Sequence, residues 1–300
     1  MATTVTSAMA AFLAAIQPTS NQTSEASTSH SALRAYLRDQ LTVSADFLTG
    51  SYRRGTMLRQ SRDIDLFLVL DSSYYNGTAT TTGYKDQATG PANLLDRIKR
   101  LLQAKYPNTA IGRDGQAVRV EFSHVHIDVV PAFYAALGGY LIPDSPSNSW
   151  IRSDPTKHRE AISTTNAKRT VDGRLVPLAK MIKYWNHDRG YGMKGFFLEM
   201  WARDIFQYWS LPSYAEGLHT FFDRGVVYID SRYAVNDPAT SVNLMQSYLA
   251  SDARRSDTRA RLVVARDLAA KAINANAGGE NKTAVETWKR LFGAAFPSYG

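Results

Sequence analysis

Two aspartates one residue apart, Asp63 and Asp65, are the residues of this sequence best suited to bind a metal ion. They run directly into the apolar stretch 66–70, whose short length predicts a buried strand rather than a helix. Because alternate side chains of a strand share a face, both carboxylates are expected on one face at the strand's start. Two such charges repel unless a cation is present, and Mg²⁺ prefers oxygen ligands. The pair therefore predicts a divalent metal site.

A Gly-Ser pair, Gly50 and Ser51, lies shortly before the two aspartates. A glycine lets backbone N–H groups approach an anion closely, and the serine hydroxyl adds a donor. Arg54 follows and is a candidate to neutralise phosphate charge, with a solvated basic surface as an equal alternative. A phosphate grip followed by a metal-binding carboxylate pair is what a nucleotidyltransferase needs. The alternative interpretation is a surface turn before a solvated strand start.

A third carboxylate, Asp128, lies in the alternating segment 117–130, which predicts one continuous strand. By parity this strand places on one face Val118, Val120, Phe122, His124, His126 and Asp128. A third carboxylate on a neighbouring strand would complete the ligands of a two-metal site, so Asp128 is predicted to be catalytic rather than a strand-end cap. Because Mg²⁺ prefers oxygen, the two histidines are interpreted as packing residues or as partners of the metal ligands.

Helical periodicity dominates the second half of the chain. After an N-terminal helix over 5–16, a stretch 17–30 that is a loop or a helix start, and a helix through 33–41, a strand is predicted at 45–48. An exposed loop is expected at 71–91, a helix at 92–105, and a region broken up by prolines at 131–150. Asp154-Pro155 marks the start of a helix, and the helices predicted from there on are 155–170, 174–188, 194–209, 213–223, 238–250, 257–275 and 281–293.

The composition excludes several classes of protein. There is no cysteine among the 300 residues, which excludes disulfides, zinc ribbons and thiol catalysis. No apolar run is long enough for a membrane span, and no basic segment precedes the first apolar stretch, so a soluble cytoplasmic protein is expected. The net charge of +8 fits either a nucleic-acid surface or a pocket for nucleoside triphosphates. Basic residues are spread along the chain, which favours the pocket.

Five segments together resemble the bacterial CD-NTases, the cyclic-oligonucleotide synthases of antiphage signalling related to cyclic GMP-AMP synthase and oligoadenylate synthase. The segments are GSYRRGT (50–56), DIDLFLVL (63–70), HIDVVPAF (126–133), DPTKHREAISTTNAKR (154–169) and LVPLAKMIKYWN (175–186). They follow one another in the right order between residues 50 and 186, and the last two are more specific than the aspartates. Within the family, the sequence looks most similar to the clade that includes uridine-using members.

The resemblance implies an α+β fold in which a polymerase-β-like nucleotidyltransferase sheet lobe, expected at 1–152 with the N-terminal helices, packs on a helical lobe at 153–300. The active site is expected in the cleft. The residues that match the metal triad, which would hold two Mg²⁺ ions (or Mn²⁺), are Asp63, Asp65 and Asp128. The residues that match the triphosphate contacts are Gly50, Ser51 and either Lys180 or Lys183, which are three apart on one helix. Many relatives carry a serine where this chain has Gly195, which puts a second phosphate contact in doubt.

The expected activity is synthesis of a uracil-containing cyclic dinucleotide, cyclic UMP-AMP above all, from UTP and ATP by two-metal phosphoryl transfer. The product would be an antiphage second messenger sensed by an effector protein, and the enzyme a monomer that needs neither nucleic acid nor membrane. Asn166 is predicted to read uracil, because an amide both donates and accepts, with an exposed helix residue as an equal alternative. The runner-up functions are an RNA-directed transferase of the CCA-adding or poly(A) type and a catalytically dead nucleotide sensor.

The last residues, 296–300, predict a short exposed tail, because Pro297 cannot continue a helix. Some CD-NTases are joined to targets through a C-terminal glycine, and Gly300 is compatible with that chemistry. An ordinary terminus is the favoured interpretation of this ending.

Overall fold

The computed structural model describes residues 2–71 and 90–300, so most of the loop predicted at 71–91 lies outside the described residues. The chain forms two compact units. The sheet unit consists of Pro18–Gly55 and Ser61–Lys157. The helical unit consists of the chain up to Gln17, Thr56–Gln60 and His158–Gly300. Both units are therefore assembled from separate stretches of the sequence.

The sheet unit contains a mixed seven-stranded sheet among its described residues. Its strands are β1 (Val43–Thr49), β2 (Asp63–Leu70), β3 (Ala110–Asp114), β4 (Ala117–Glu121), β5 (His126–Tyr134), β6 (Tyr140–Asp144) and β7 (Ser149–Ser153). The main order is β1-β2-β5-β4-β3, and β6 pairs with both β5 and β7. β2 and β5 are parallel neighbours at the centre, whereas each pairs antiparallel with its other partners in this order. Two of the predicted catalytic segments thus form adjacent strands.

The strand β2 is buried on both faces after its first residues, which explains its continuous apolar run. On one face, Ile64 and Leu66 belong to a core that also contains residues of the helices α2 (Ser20–Gln40) and α4 (Pro91–Lys105). On the other face, Phe67 packs with Phe47 and other residues of the sheet. By the alternation of a strand, Asp63 and Asp65 lie on the face opposite the two helices. The predicted strand and the shared face of its aspartates are confirmed.

The prediction of one strand over 117–130 was wrong. The segment forms β4 and β5, which pair antiparallel and are joined at residues 122–125. Val118 and Val120 stand opposite Val129 and Ile127, and all four are buried in the core under the helices. The connection reverses the chain, so Asp128 lies on the other face from these valines. The alternation of apolar and polar residues continues through the turn, so the sequence pattern did not indicate it.

The helical unit contains the short α9 (Leu244–Tyr248) and seven longer helices among the residues described. The longer ones are α1 (Val5–Ile16), α5 (Pro155–Asn166), α6 (Leu175–Asp188), α7 (Gly195–Phe206), α8 (Tyr214–Asp230), α10 (Asp252–Ala277) and α11 (Asn281–Phe292). The first residues of α5 belong to the sheet unit, and Asp154 Oδ1 accepts the N–H groups of Thr156 and Lys157, as its predicted capping role requires. No helix within 2–71 or 90–300 has the length and apolar character to cross a membrane.

Of the two interpretations of 17–30, a loop or a helix start, the helix start is confirmed, because α2 begins at Ser20 and is capped by Thr19 and Gln22. Two other predicted helix positions need correction. The segment 238–250 holds only the short α9, because a bridge between Asn236 and Asn243 occupies the preceding residues. The prediction over 213–223 was too short, since α8 extends to Asp230.

The N-terminal helix α1 also departs from the expected division, which placed it in the sheet lobe. Its apolar face, including Met9 and Phe12, is buried in the core of the helical unit. Phe12 lies 4.5 Å from Phe292 of α11 and 5.3 Å from Phe296, measured between ring centroids. The exposed tail predicted at 296–300 is shorter than expected, because Phe296 is fully buried in the core of this unit and the exposed residues are the last three. Tyr299 forms a parallel bridge with Ala2.

Candidate active site

The parallel pairing of β2 and β5 brings the predicted carboxylates together. Asp65 stands directly opposite Asp128, and Asp63 stands opposite His126. Adjacent strands are about 4.8 Å apart, so these side chains share one small area of the sheet surface. Asp63 is half-exposed and Asp128 is buried. The three carboxylates predicted from the sequence therefore lie close together on neighbouring strands.

The Gly-Ser pair lies against this area. Thr49 at the end of β1 pairs with Asp65, and the chain then turns into the single-turn helix α3 (Gly50–Arg53). Gly50 has a φ of +64°, and a Cβ atom there would lie 1.6 Å from Asp65 Oδ2. Only glycine can hold this position, because the backbone is left-handed and the carboxylate fills the space of a side chain. The glycine predicted for a phosphate grip is thus in contact range of a predicted metal ligand.

Arg119 on β4 is a site residue that the sequence reasoning missed. Its Nε and Nη2 donate to the two oxygens of Asp128, at 2.9 and 2.8 Å. Its Nη2 also lies 3.1 Å from Asp114 Oδ2 and 3.8 Å from Asp63 Oδ1. These bonds to Asp128, together with the nearby negative charges, raise the pKa of Arg119 despite its partial burial. The guanidinium is therefore held as a permanent cation among the carboxylates.

The two histidines of the segment have different surroundings. His126 Nδ1 lies 3.4 Å from Asp63 Oδ1, so it contacts a candidate metal ligand. His124 lies in the connection between β4 and β5, where its Nε2 is 2.7 Å from the Ser29 hydroxyl of α2. His126 is thus the histidine that belongs to the candidate site.

The donor set suits a hard divalent cation. All three candidate ligands are carboxylates, which Mg²⁺ prefers. Arg119 pairs with Asp63 and Asp128, and a divalent cation would add positive charge beside the three neighbouring carboxylates. Among residues 2–71 and 90–300, however, no three acidic or histidine side chains are already arranged around a metal position. By their chemistry the three carboxylates fit a hard divalent cation.

Lys180 and Lys183, the two basic candidates on α6, occupy different environments. Lys183 Nζ donates to Glu199 Oε1 at 2.8 Å and to the Thr56 carbonyl at 2.9 Å. The Lys183 side chain is 11% exposed and that of Glu199 is fully buried. Lys180 is half-buried, and burial followed by the charge of Lys183 lowers its pKa. Within the described residues, no carboxylate lies within ion-pair distance of Lys180.

Gly195 explains how Lys183 reaches its partners. A Cβ at Gly195 would lie 2.9 Å from Lys183 Cε. The glycine at the start of α7 leaves room for the lysine stem to pass towards Glu199, which lies one turn further along the same helix. Gly195, at the position where the resemblance implied a serine, thus lies beside the buried pair of Lys183 and Glu199.

Asn166 and Arg54, the remaining candidates, lie at helix ends. Asn166 Oδ1 accepts the Val176 N–H at 3.1 Å and so binds the first turn of α6. The amide oxygen predicted to contact uracil is therefore already engaged inside the helical unit. The Arg54 N–H donates to the Gly50 carbonyl and closes α3, which places Arg54 directly after the Gly-Ser turn.

Comparison with known proteins gives consistent matches along the chain. Residues 3–166 match the model of the Second Messenger Oligonucleotide or Dinucleotide Synthetase domain. A probable cyclic nucleotide synthase of Bacillus cereus is 29% identical over 83% of this chain and 81% of its own length. A cyclic AMP-AMP-AMP synthase of an Acinetobacter species is 25% identical over 95% of this chain and 83% of its own length.

The fold also matches solved structures. The structure of CdnC from Escherichia coli MS115-1 with ATP aligns with a TM-score of 0.74 at 19% identity. The alignment covers 98% of this chain and 99% of that protein. The α+β nucleotidyltransferase fold expected from the sequence is confirmed by this match.

Proposed function

Because the chain belongs to the Second Messenger Oligonucleotide or Dinucleotide Synthetase family, we propose that it joins nucleoside triphosphates into a cyclic oligonucleotide signal. Enzymes of this family are nucleotidyltransferases, and the relatives named above are cyclic nucleotide synthases. The observation that carries the proposal is the pairing of Asp65 with Asp128 across β2 and β5, with Gly50 closed against Asp65.

The proposed reaction is in-line phosphoryl transfer. A ribose hydroxyl of one nucleotide attacks the α-phosphorus of another, and the bond to pyrophosphate breaks. Nucleotidyltransferases of this kind use divalent metal ions, and we propose two Mg²⁺ ions, for which Mn²⁺ can substitute. Asp63, Asp65 and Asp128 would hold them. When bound, such ions neutralise phosphate charge and lower the pKa of the attacking hydroxyl. A later attack of the same kind closes the ring.

Gly50 and Ser51 are proposed to hold the triphosphate through backbone N–H groups and the hydroxyl. Of the two lysines, we propose Lys180 as the phosphate contact of the helical unit. Lys183 already neutralises Glu199 and donates to a backbone carbonyl. A half-buried lysine whose pKa is lowered by burial gains most from an arriving anion. Arg54 stays a candidate for the same charge.

For the base, we propose ATP as a substrate. The Acinetobacter relative is a cyclic AMP-AMP-AMP synthase, and the E. coli structure was solved with ATP. No comparison supports the uracil-containing product, cyclic UMP-AMP, expected from the sequence, and Asn166 already uses its amide oxygen on Val176. An effector protein that senses the product is the partner that such a function requires, and the cytoplasm, where nucleoside triphosphates are abundant, is the proposed location.

The test incubates nuclease-treated protein with Mg²⁺ or Mn²⁺ and with each nucleoside triphosphate, alone and in pairs. Pyrophosphate release and the masses of the products are measured, with an Asp63→Asn/Asp65→Asn variant as control. A cyclic product containing AMP supports the proposal, and incorporation of UMP would restore the uracil prediction. Elongation only of added RNA would indicate an RNA-directed transferase. No pyrophosphate release under any condition would indicate a nucleotide sensor without catalysis.

A further inference from the structure

We propose that Arg119 and a divalent metal ion compete for the carboxylate of Asp128, and that Asp114 receives the guanidinium when the metal binds. This inference rests on the proposed function, because it concerns the same carboxylates. Arg119 then acts as a positioning residue that sets when Asp128 becomes a ligand.

The geometry shows why the two cations compete. Both oxygens of Asp128 accept a hydrogen bond from the one guanidinium, in a planar, two-point contact. A metal ion bound to Asp128 needs at least one of these oxygens. The Asp128 side chain is only 12% exposed, so neither cation can be replaced by bulk water without an electrostatic cost. Asp128 therefore cannot keep this two-point contact with Arg119 while it holds a metal ion.

A destination for the guanidinium is already present. Asp114 Oδ2 lies 3.1 Å from Arg119 Nη2, and the Asp114 side chain is 56% exposed. Asp114 ends β3 and stands opposite Ala117 at the start of β4, so it belongs to the same hairpin as Arg119. Release of Asp128 consequently moves the guanidinium from a buried carboxylate to an exposed one, and its charge stays paired throughout.

The arrangement has a consequence for metal affinity. Without metal, Arg119 offsets part of the repulsion among Asp63, Asp65 and Asp128, because it contacts two of the three. A metal ion that binds Asp128 must therefore displace a bonded guanidinium. Removal of Arg119 should tighten metal binding, whereas removal of Asp114 should weaken it because the guanidinium loses its second partner.

The experiment measures Mn²⁺ binding by electron paramagnetic resonance in the absence of nucleotide. Arg119→Gln should lower the Mn²⁺ dissociation constant by about tenfold or more, the effect of losing one charge-assisted pair. Asp114→Asn should raise it, and Arg119→Lys, which cannot form the two-point contact, should fall between Arg119→Gln and the wild type. Arg113→Gln is the matched control, because Arg113 pairs with the exposed Asp96 at 3.4 Å, and it should leave binding unchanged.

Opposite shifts in Arg119→Gln and Asp114→Asn support the competition, since a merely structural role would weaken binding in both. Equal or weaker binding by Arg119→Gln overturns it, as does a complete absence of Mn²⁺ binding in every variant. If Arg119→Gln does not fold, unchanged or tighter binding by Asp114→Asn alone overturns it.

Product synthesis by the wild type is assayed in parallel. A wild type that makes no product contradicts the proposed function, whereas the Mn²⁺ titrations decide the role of Arg119 separately.

Discussion

Charged residues are arranged differently in the two units of the molecule. In the sheet unit, the carboxylates of Asp63, Asp114 and Asp128 surround the single guanidinium of Arg119. In the helical unit, the Lys183 ammonium pairs with the carboxylate of Glu199, which is fully buried. The first group has more negative than positive charge and stays partly exposed. The second is balanced and shielded from water.

This difference separates charges that can bind a ligand from charges that support the fold. A buried carboxylate needs its partner, because water cannot replace it. A half-exposed carboxylate such as Asp63 keeps its hydration and tolerates an excess of negative charge. Mutations of these sheet-unit carboxylates should therefore change product formation more than stability. Mutations of buried ion pairs in the helical unit should change stability more than product formation.

The largest effect is expected from the double variant Asp63→Asn/Asp65→Asn. Product formation should fall by at least about a thousandfold, since the charges that would hold the metal are gone while the side-chain shapes stay. The melting temperature should stay constant or rise, because like-charge repulsion is relieved. Product masses and thermal unfolding check the two halves of this prediction. Near-normal synthesis would remove these aspartates from the site.

Lys183→Met should cost the most stability. It removes the ammonium that pairs with the fully buried Glu199, and the loss of one partner of a buried pair costs about 3–5 kcal/mol. Lys180→Met is the matched control on the same helix. It removes a charge that burial already disfavours, so its free energy of unfolding should be equal to or above that of the wild type. Urea unfolding of both variants tests the contrast, which fails if the two lose equal stability.

Gly50→Ala tests how closely the turn approaches the carboxylates. The added Cβ would meet Asp65 Oδ2 at 1.6 Å, on a backbone with φ of +64°. The left-handed conformation alone costs about 1–2 kcal/mol for a residue with a side chain, and the displaced Asp65 should reduce product formation. Gly112→Ala is the control, because nothing lies within 4 Å of a Cβ there. Activity equal to that of the control would show that the close approach is not required.

A smaller effect on stability is expected from mutation of a second buried pair in the helical unit. In this pair His158 Nε2 lies 3.0 Å from Asp237 Oδ1. Burial alone would raise the pKa of Asp237, but the bonds from His158 and from the N–H groups of Ala239 and Thr240 outweigh it and lower that pKa. The stabilisation is therefore complete above the ordinary pKa of 3.8 and is lost as the pH falls through the lower folded value.

Asp237→Asn should accordingly cost about 1 kcal/mol at neutral pH. The difference between the free energies of unfolding of the wild type and the variant should narrow below about pH 4, where the wild-type carboxylate becomes protonated. Urea unfolding at a series of pH values measures this gap. A gap that stays constant down to the lowest pH at which both proteins fold would exclude the titration of Asp237 as its source.

The sequence predicted the strand β2 and its aspartates well, because an apolar run after two acidic residues has few other interpretations. It placed Asp128 in the right neighbourhood but on the wrong face relative to Val118. The turn at 122–125 contains neither glycine nor proline, so the alternation seemed unbroken. Arg119 was missed for the same reason, since only the reversed strand places it beside Asp128. The contacts of Lys183 with Thr56 and Glu199 depend on tertiary packing, and no local sequence pattern predicts them.

The assignment of α1 to the helical unit has a consequence for the order of events during synthesis. Phe12 leaves the ribosome about 280 residues before its aromatic neighbours Phe292 and Phe296. Contacts that join such distant parts of a chain form slowly. Until these partners are synthesised, the part of the apolar face of α1 that they cover stays exposed. Exposed apolar surface of this kind favours aggregation. The sheet unit, complete by Lys157, has all of its own residues much earlier.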